Sequence, residues 1–295
     1  MRVAVTGSSG LIGSALVPAL RAAGHDVLRL VRGEPGSVDE VAWDPTVATI
    51  DEEVLADVAA IVNLAGASID QRWTAAAQRR IRDSRVDGTR LLAETVSRLD
   101  PRPALLLASA VGYYGQRGDE ELTEESAAGE GFLADVVREW EAAAEPARAA
   151  GGRVVHFRQG IVLGKDGGAL KRMLLPFRLG VGGRVGGGSQ WWSWISRDDV
   201  VAAYLHALEH PLEGVYNLAA PGVVRNRGFV DALGQALHRP TVVPLPGVAV
   251  RLAFGEMGKE MLLGGQRALP ARLADAGFPF AYPEIGDALE HALKK

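Results

Sequence analysis

The sequence predicts an α/β fold built on a doubly wound parallel sheet, with a smaller, mainly helical C-terminal lobe. Two observations predict it. Through the first 160 residues, short apolar runs rich in Val, Leu and Ile alternate with helical patterns, as strands covered on both faces do. A glycine-rich turn follows the first run and begins the first helical pattern, which is typical of a nucleotide-binding βα unit.

The pattern of apolar runs places the individual elements. It predicts strands at 2–6, 26–31, 59–66, 104–109 and 153–158, with a returning strand near 214–218. Helices are expected at about 11–23, 74–98, 131–150, 198–209, 226–237, 246–262 and 284–293, and a glycine-rich loop region at 164–188. Residues 1–164 plus about 196–220 are expected to form a cofactor domain. About 165–195 and 221–295 are expected to form the smaller substrate-side lobe.

Composition excludes several classes of protein. The 295-residue chain has a net charge of −4 and no cysteine, so disulfides, thiolate metal sites and a general attraction to nucleic acid or anionic membranes are not expected. No metal is expected, because the six histidines show no convincing ligand spacing. The chain shows neither a signal peptide nor an apolar stretch of membrane-spanning length. We expect a cytoplasmic monomer or homodimer that binds a small-molecule substrate, with no nucleic-acid or membrane partner.

The first turn has the features of a dinucleotide site. Gly7, Gly10 and Gly13 follow the first strand and begin the first helix. Glycine at these places permits a tight turn, close approach of the backbone to a pyrophosphate, and close packing of helix on strand. The free N–H groups at the helix start favour an anion. The cofactor is also expected to contact the residues between these glycines, Ser9, Leu11 and Ile12.

The residue that ends the second strand predicts which dinucleotide binds. An acidic residue there would bond the ribose 2′-hydroxyl and repel a 2′-phosphate, whereas this strand ends in Arg32. A guanidinium matches a phosphate in charge and geometry, so we predict NADP(H) rather than NAD(H); a solvated surface arginine is the alternative. The third long strand ends in Leu64, Ala65 and Gly66, where small residues allow the backbone to run beside the cofactor.

Several motifs carry a resemblance to a known superfamily. TGSSGLIG (6–13), NLAG (63–66), SAVGYYG (109–115) and RQGIVLG (158–164) resemble the epimerase/dehydratase branch of the extended short-chain dehydrogenases/reductases. The long stretch 167–195 resembles one subgroup, the epimerase-family proteins, which are sugar-nucleotide epimerase homologues with a C-terminal segment of unassigned function. The resemblance covers essentially the whole chain and implies a Rossmann-type fold and NADP(H) binding. It supplies no substrate.

The catalytic pair of that superfamily is missing from this sequence. There a tyrosine acts as general acid/base, and a lysine four residues on lowers its pKa and holds the nicotinamide ribose. None of the five tyrosines here has such a lysine. The helix expected at 131–150 has an apolar stripe of Leu133, Val136 or Val137, Trp140 and Ala144. The resemblance places Phe132 or Leu133 where the tyrosine belongs, and we expect no acid or base on that face.

The catalytic candidates are therefore Ser109 and Tyr113, at the carboxyl end of a strand, where ligands of open α/β sheets bind. Alignment on the following Tyr-Gly instead places Ala110 at the serine position, so Ser109 could merely cap the strand and Tyr113 could pack under the lobe. Arg85 lies in the inward apolar stripe of helix 74–98 and needs an anion or carbonyl partner, unless it extends to the helix edge. We expect it to contact the cofactor.

The substrate side is expected around QWWSWI (190–195). Strand alternation places Gln190, Trp192 and Trp194 on one face, with Trp191 and Ser193 on the other. Aromatic platforms suit a planar or sugar-like ligand, and burial of the tryptophans in a core is the alternative. Arginines meeting in one pocket would suit a carboxylate or phosphate. The substrate-side candidates are Arg158, Gln190, Trp192, Trp194 and Arg225.

Two hypotheses about function follow. In the first, the chain is an NADP(H)-dependent oxidoreductase or epimerase-like enzyme acting on a small polar, sugar-nucleotide-like substrate, with Ser109 and Tyr113 polarising the substrate oxygen and Arg85 or Arg158 orienting it. In the second, the chain binds NADP(H) without turnover and acts as a redox sensor or partner-binding protein. The missing tyrosine and lysine favour the second hypothesis, and the aromatic and arginine residues favour the first.

Overall fold

The computed structural model describes residues 1–294. Lys295, the last residue assigned to the substrate-side lobe, lies outside this range. The strands are β1 (Arg2–Thr6), β2 (Asp26–Val31), β3 (Glu40–Asp44), β4 (Thr49–Ile50), β5 (Ala60–Asn63), β6 (Ala104–Ala110), β7 (Glu121–Leu122), β8 (Val154–Gln159), β9 (Ile161–Leu163), β10 (Trp191–Trp192), β11 (Trp194–Ser196), β12 (Gly214–Leu218), β13 (Val224–Arg225) and β14 (Arg267–Ala268). The helices are α1 (Gly13–Ala22), α2 (Ala75–Arg98), α3 (Phe132–Ala142), α4 (Glu145–Ala149), α5 (Gly168–Arg178), α6 (Arg197–Glu209), α7 (Asn226–Leu237), α8 (Gly247–Met257), α9 (Ala271–Asp275) and α10 (Ile285–Lys294).

The main sheet has eight strands in the order β12-β8-β6-β5-β1-β2-β3-β4. All neighbours pair in parallel except β3 and β4. Helices α1 and α6 cover one face, where Val3 and Val5 point, and α2 and α4 cover the other, where Ala4 points. This two-sided burial explains the continuous apolar runs of the sequence and confirms the doubly wound α/β fold with its helical C-terminal lobe.

The sequence analysis did not predict β3 and β4 of the main sheet, and three of the predicted segments differ from expectation. The helix expected at 131–150 divides into α3 and α4, because Pro146 lies in the first turn of α4 and cannot continue a helix from before it. The expected loop region 164–188 contains α5, whose Leu170, Leu174 and Phe177 have helical spacing and are buried. The helix expected at 246–262 breaks at Gly255, where φ is +59°, and ends in a π-helical turn, Gly258–Leu262.

The C-terminal lobe has its own core, in which α5, α7 and α10 pack together. Trp192, Trp194 and Phe229 are among its largest side chains. No helix within residues 1–294 combines the length and the apolar character that crossing a bilayer requires. Cytoplasmic localisation stays a prediction.

Candidate functional site

A glycine turn at the carboxyl end of β1 forms a close-packed cradle. Gly7 has φ +64°, and a Cβ at this residue would lie 2.8 Å from the carbonyl carbon of Leu64. A Cβ on Gly13 would collide with the carbonyl oxygen of Gly7. The N–H of Gly10 donates to the same oxygen at 3.0 Å. Only glycine therefore fits at positions 7 and 13, and the backbone is left open to a close ligand such as a pyrophosphate.

Thr6, which the sequence analysis did not single out, ties the cradle to the neighbouring loop. Its hydroxyl donates to Asn63 Oδ1 (2.6 Å) and accepts from the N–H groups of Leu64 (3.0 Å) and Ala65 (3.1 Å). Asn63 Nδ2 in turn donates to Thr89 Oγ1 on α2 (3.1 Å). This network holds the 63–66 loop beside the glycine turn. In the sequence, the polar residue at the end of each of these two apolar strands indicates it.

The other residues of the turn have different surroundings. Ser9 is exposed, and Ile12 packs against the main core. The side chain of Leu11 lies under the loop after β9, where a Cβ on Gly164 would come within 2.7 Å of it. Leu11 therefore fastens this loop, which belongs to the start of the C-terminal lobe, over the glycine turn.

Arg32 is exposed at the end of β2 and makes no hydrogen bond within the described part of the chain. The nearby carboxylates of Asp39 and Glu40 are engaged by Arg29, with N–O distances of 2.7 Å and 2.9 Å. Their charge is therefore largely neutralised. Hydrogen bonds from Thr46 and, to a smaller extent, the charge of Arg32 lower the pKa of Asp44. The Arg32 guanidinium forms no ion pair within residues 1–294 and stays available for an anion.

Arg85 lies on α2 against the 63–66 loop. Its guanidinium donates to the carbonyl oxygens of Ala67 and Ile81, both at 3.0 Å, and lies 5.3 Å from the centroid of the Trp140 ring. Burial lowers its pKa to about 10, and no carboxylate pairs with it among residues 1–294. A Cβ on Gly66 would come within 3.2 Å of the guanidinium carbon. This half-buried cation therefore lacks a negative partner beside the cradle.

Ser109 is buried, and its hydroxyl donates to Glu141 Oε1 on α3 at 2.6 Å. Arg158, its neighbour across β6 and β8, donates to both carboxylate oxygens of Glu141, at 2.9 Å and 2.8 Å. Burial alone would raise the pKa of Glu141, but Arg158 holds it below its ordinary value. The Ser109 hydroxyl therefore donates its hydrogen bond to a buried carboxylate.

The position of Glu141 shows that the expectation for helix α3 was wrong. We expected no acid or base on the face of this helix that turns to the sheet. The structure buries Leu133 only partly, buries Val137, and places Glu141, two turns after Leu133, against Ser109 and Arg158. An Arg and a Glu that are distant in sequence give no signal of pairing, so spacing on the helix could not reveal this contact.

Tyr113 lies on the guanidinium of Arg158, whose carbon is 3.3 Å from the ring centroid. This is a close cation–π contact. The Tyr113 side chain is half-buried, and its hydroxyl makes no hydrogen bond within the described residues. The next residue, Tyr114, is fully buried, accepts from Arg158 (3.1 Å) and donates to Asn217 Oδ1 (2.7 Å). The two adjacent tyrosines are therefore differently placed: one hydroxyl is sequestered and the other is free.

Two apolar side chains, Phe132 and Leu133, begin α3 at the position where the sequence resemblance predicts the superfamily's tyrosine. A Cβ on Gly112 would contact Leu133 at 3.3 Å, and Phe132 packs edge-on against Trp73 with centroids 4.9 Å apart. Glu260 of the π-helical turn accepts the N–H groups of Phe132 and Leu133, both at 3.1 Å. A carboxylate from the C-terminal lobe thus caps the start of α3.

The substrate-side candidates separate into two groups. Trp192 and Trp194 are buried in the lobe core, and the Trp194 indole donates to Gly222 O at 2.9 Å; this placement favours packing over ligand contact. Gln190 donates to Leu262 O at 2.7 Å and so fastens the π-helical turn. Arg158 belongs to the Glu141 pair and does not meet Arg225.

Arg225 lies instead beside the half-buried ring of Trp191. Its guanidinium is 4.5 Å from the ring centroid of Trp191, and Arg267 lies 4.7 Å from the same ring. Asp119 accepts from both Trp191 Nε1 (2.7 Å) and Arg225 (2.9 Å). Trp191, on the opposite face from the two buried tryptophans as alternation predicts, is the tryptophan that arginines flank. No group of three or more His, Asp or Glu within residues 1–294 is arranged to hold a metal ion.

Comparison with known proteins agrees with the fold. The model of the NAD dependent epimerase/dehydratase family matches residues 3–219, and a domain of unknown function matches residues 245–292. An epimerase family protein of Mycobacterium bovis is 49% identical over 98% of this chain and 97% of its own length. The crystal structure of a human epimerase family protein with NADPH superposes with a TM-score of 0.90, at 37% identity and with full coverage of both chains. A Thermus thermophilus UDP-glucose 4-epimerase complex with NAD, 20% identical over 99% of each chain, shares the fold with a TM-score of 0.77. The chain therefore belongs to the NAD-dependent epimerase/dehydratase family.

Proposed function

We propose that this chain binds NADP(H) in the glycine cradle and is an oxidoreductase of the epimerase type that acts on a small polar, sugar-nucleotide-like substrate. In this proposal residues 1–164 with about 196–220 hold the cofactor, and the remaining lobe holds the substrate. The observation that carries it is the pair of cations that form no ion pair within residues 1–294, Arg32 and Arg85, on either side of a turn that only glycine fits. The NADPH complex of the human relative supports the same choice of cofactor.

Tyr113 is the proton donor in this proposal. When bound, the nicotinamide supplies a hydride to a carbonyl carbon, and the resulting alkoxide needs a proton. Ser109 cannot easily donate one, because its hydroxyl proton is held by Glu141. Tyr113 has a free hydroxyl at the carboxyl end of β6, and Arg158 stacks on its ring. Arg158 thus fixes the position of the Tyr113 ring, while its charge is paired with Glu141.

One observation favours the second function, NADP(H) binding without turnover. Leu133 packs on Gly112 where a catalytic tyrosine would lie, and Glu260 closes the start of α3 from the C-terminal lobe. These contacts leave the cofactor cradle intact and occupy the usual place of the chemistry. The two functions share cofactor binding and differ in turnover, so separate measurements distinguish them.

Replacing Arg32 with alanine should weaken NADPH binding roughly 10- to 100-fold and leave NADH binding unchanged. The loss corresponds to one or two hydrogen bonds to a charged group, about 1.5–3 kcal/mol. Isothermal titration calorimetry with both cofactors measures it. Arg79→Ala, which removes an exposed arginine on α2, is the matched control. Equal weakening of both cofactors would show that Arg32 does not read the 2′-phosphate.

Replacing Tyr113 with phenylalanine should lower the rate of NADPH oxidation by about 100-fold and leave the NADPH dissociation constant unchanged, because only the proton donor is lost. The rate is followed at the nicotinamide absorbance with a panel of carbonyl compounds and nucleotide sugars. Tyr282→Phe, at a half-buried tyrosine stacked on His291, is the control. Tight NADPH binding with no turnover of any panel member would support the second function instead.

A further inference from the structure

An exposed apolar surface lies on the C-terminal lobe. Within residues 1–294, twelve large apolar side chains stand exposed, and nine of them belong to the stretches 175–181 and 242–254. Val242 and Leu252 are 79% and 76% exposed. Clusters of this kind mark contacts with a partner or a membrane, whereas scattered single residues do not. The nine are Leu175, Leu179, Val181, Val242, Val243, Leu245, Val248, Leu252 and Phe254.

The two stretches lie side by side. Gly183 bridges Val242, and Val185 bridges Leu245. Arg239 Nε donates to the carbonyl oxygen of Arg178 at 3.1 Å. Helix α8 follows directly, with Val248 and Leu252 one turn apart on its outer side. The nine side chains therefore belong to one connected region. Together with the basic residues of the same stretches, described next, we call it the basic apolar face.

The two chain stretches that carry this face, whose basic residues we call its rim, are strongly basic, although the whole chain carries a net charge of −4. The stretches 171–184 and 239–259 contain seven basic residues and one acidic residue, Glu256. Of the seven, Arg172 alone forms an ion pair within residues 1–294, with Asp70. The other charges are free to meet an anionic surface. The seven, all exposed, are Lys171, Arg172, Arg178, Arg184, Arg239, Arg251 and Lys259.

We propose that the basic apolar face docks on the surface of an anionic lipid bilayer. Valine and leucine side chains enter the acyl boundary, while arginine and lysine side chains reach the lipid phosphates along their apolar stems. A second copy fits less well, because a two-fold interface would place the same basic rim against itself. Nucleic acid fits less well, because aliphatic side chains offer no platform on which bases stack. The sequence-based expectation of no membrane partner considered the net charge, not its distribution.

Vesicle flotation of the full chain tests the proposal. The chain should float with vesicles of phosphatidylcholine and phosphatidylglycerol at low salt, and not with phosphatidylcholine alone. Val248→Glu with Leu252→Glu, and separately Arg178→Glu with Arg251→Glu, should each lower the bound fraction roughly tenfold or more. Val38→Glu with Val47→Glu, which changes exposed apolar residues elsewhere, should leave flotation unchanged. Circular dichroism melting confirms that each variant is folded.

Two results would overturn the proposal. One is the absence of flotation with the phosphatidylglycerol vesicles at low salt. The other is flotation that the face variants do not reduce, combined with sedimentation velocity in which Val248→Glu with Leu252→Glu converts a dimer to a monomer. That second result would assign the face to a second copy of the chain.

Discussion

Replacing Glu141 with alanine is expected to destabilise the fold by about 3–5 kcal/mol, because it leaves the Arg158 guanidinium buried without its counter-charge. The side chains of Arg158 and Glu141 are 4% and 12% exposed, so water cannot replace the lost carboxylate. The change also removes the acceptor of the Ser109 hydroxyl. Urea unfolding at neutral pH, followed by circular dichroism, measures the free energy of unfolding.

A double variant distinguishes the free-energy cost of an unpaired buried charge from the cost of a lost contact. Glu141→Ala combined with Arg158→Met should recover a large part of the loss, since neither charge then remains in the interior. The control is Glu139→Ala, which removes the exposed partner of Arg82 and should cost less than about 1 kcal/mol. If Glu141→Ala costs no more than Glu139→Ala, the pair is not the buried ionic contact that the structure shows.

Acidification from pH 6.5 to pH 4 should destabilise the chain by about 3 kcal/mol through His156. Burial lowers the pKa of this histidine from 6.5 to about 4, against the opposing effect of Glu141. The unfolded chain therefore takes up a proton that the folded chain excludes. The contribution is fully present above pH 6.5 and is lost as the pH falls towards 4, at 1.36 kcal/mol for each unit of pKa difference.

Urea unfolding between pH 7 and pH 4 in wild type and His156→Leu measures this contribution. The variant should lose less stability over this range, because leucine takes up no proton in the unfolded state. His238→Asn is the control: His238 is exposed with φ +53°, a conformation that asparagine tolerates, and it should keep the wild-type slope. Equal slopes in wild type and His156→Leu would show that His156 is not held neutral. Protonation of Glu141, whose pKa is also lowered, adds to the loss only near the acid end of the range.

Much of the fold and the cradle could be predicted from local patterns. The strands at 2–6 and 26–31 coincide with the observed ones, since burial on both faces requires continuous apolar runs. The glycines at 7 and 13 are required by contacts within one βα turn and with the adjacent loop, so their spacing was informative. Strand alternation also placed Trp191 opposite Trp192 and Trp194. These features depend on periodicity and backbone conformation, which neighbouring residues set.

The chemistry at the edge of the sheet depended on contacts between residues far apart in the chain. Glu141 meets Ser109 and Arg158 across 32 and 17 residues, and Glu260 caps α3 from 128 residues away. Patterns along a chain indicate which face of an element is apolar, but not which polar side chain of another element completes a charge. The sequence thus established the sheet, the glycine cradle and the missing tyrosine–lysine pair. The tertiary structure decided which hydroxyl is sequestered, at Ser109, and which is free, at Tyr113, because pairing in a low-dielectric interior depends on the three-dimensional neighbours of each group.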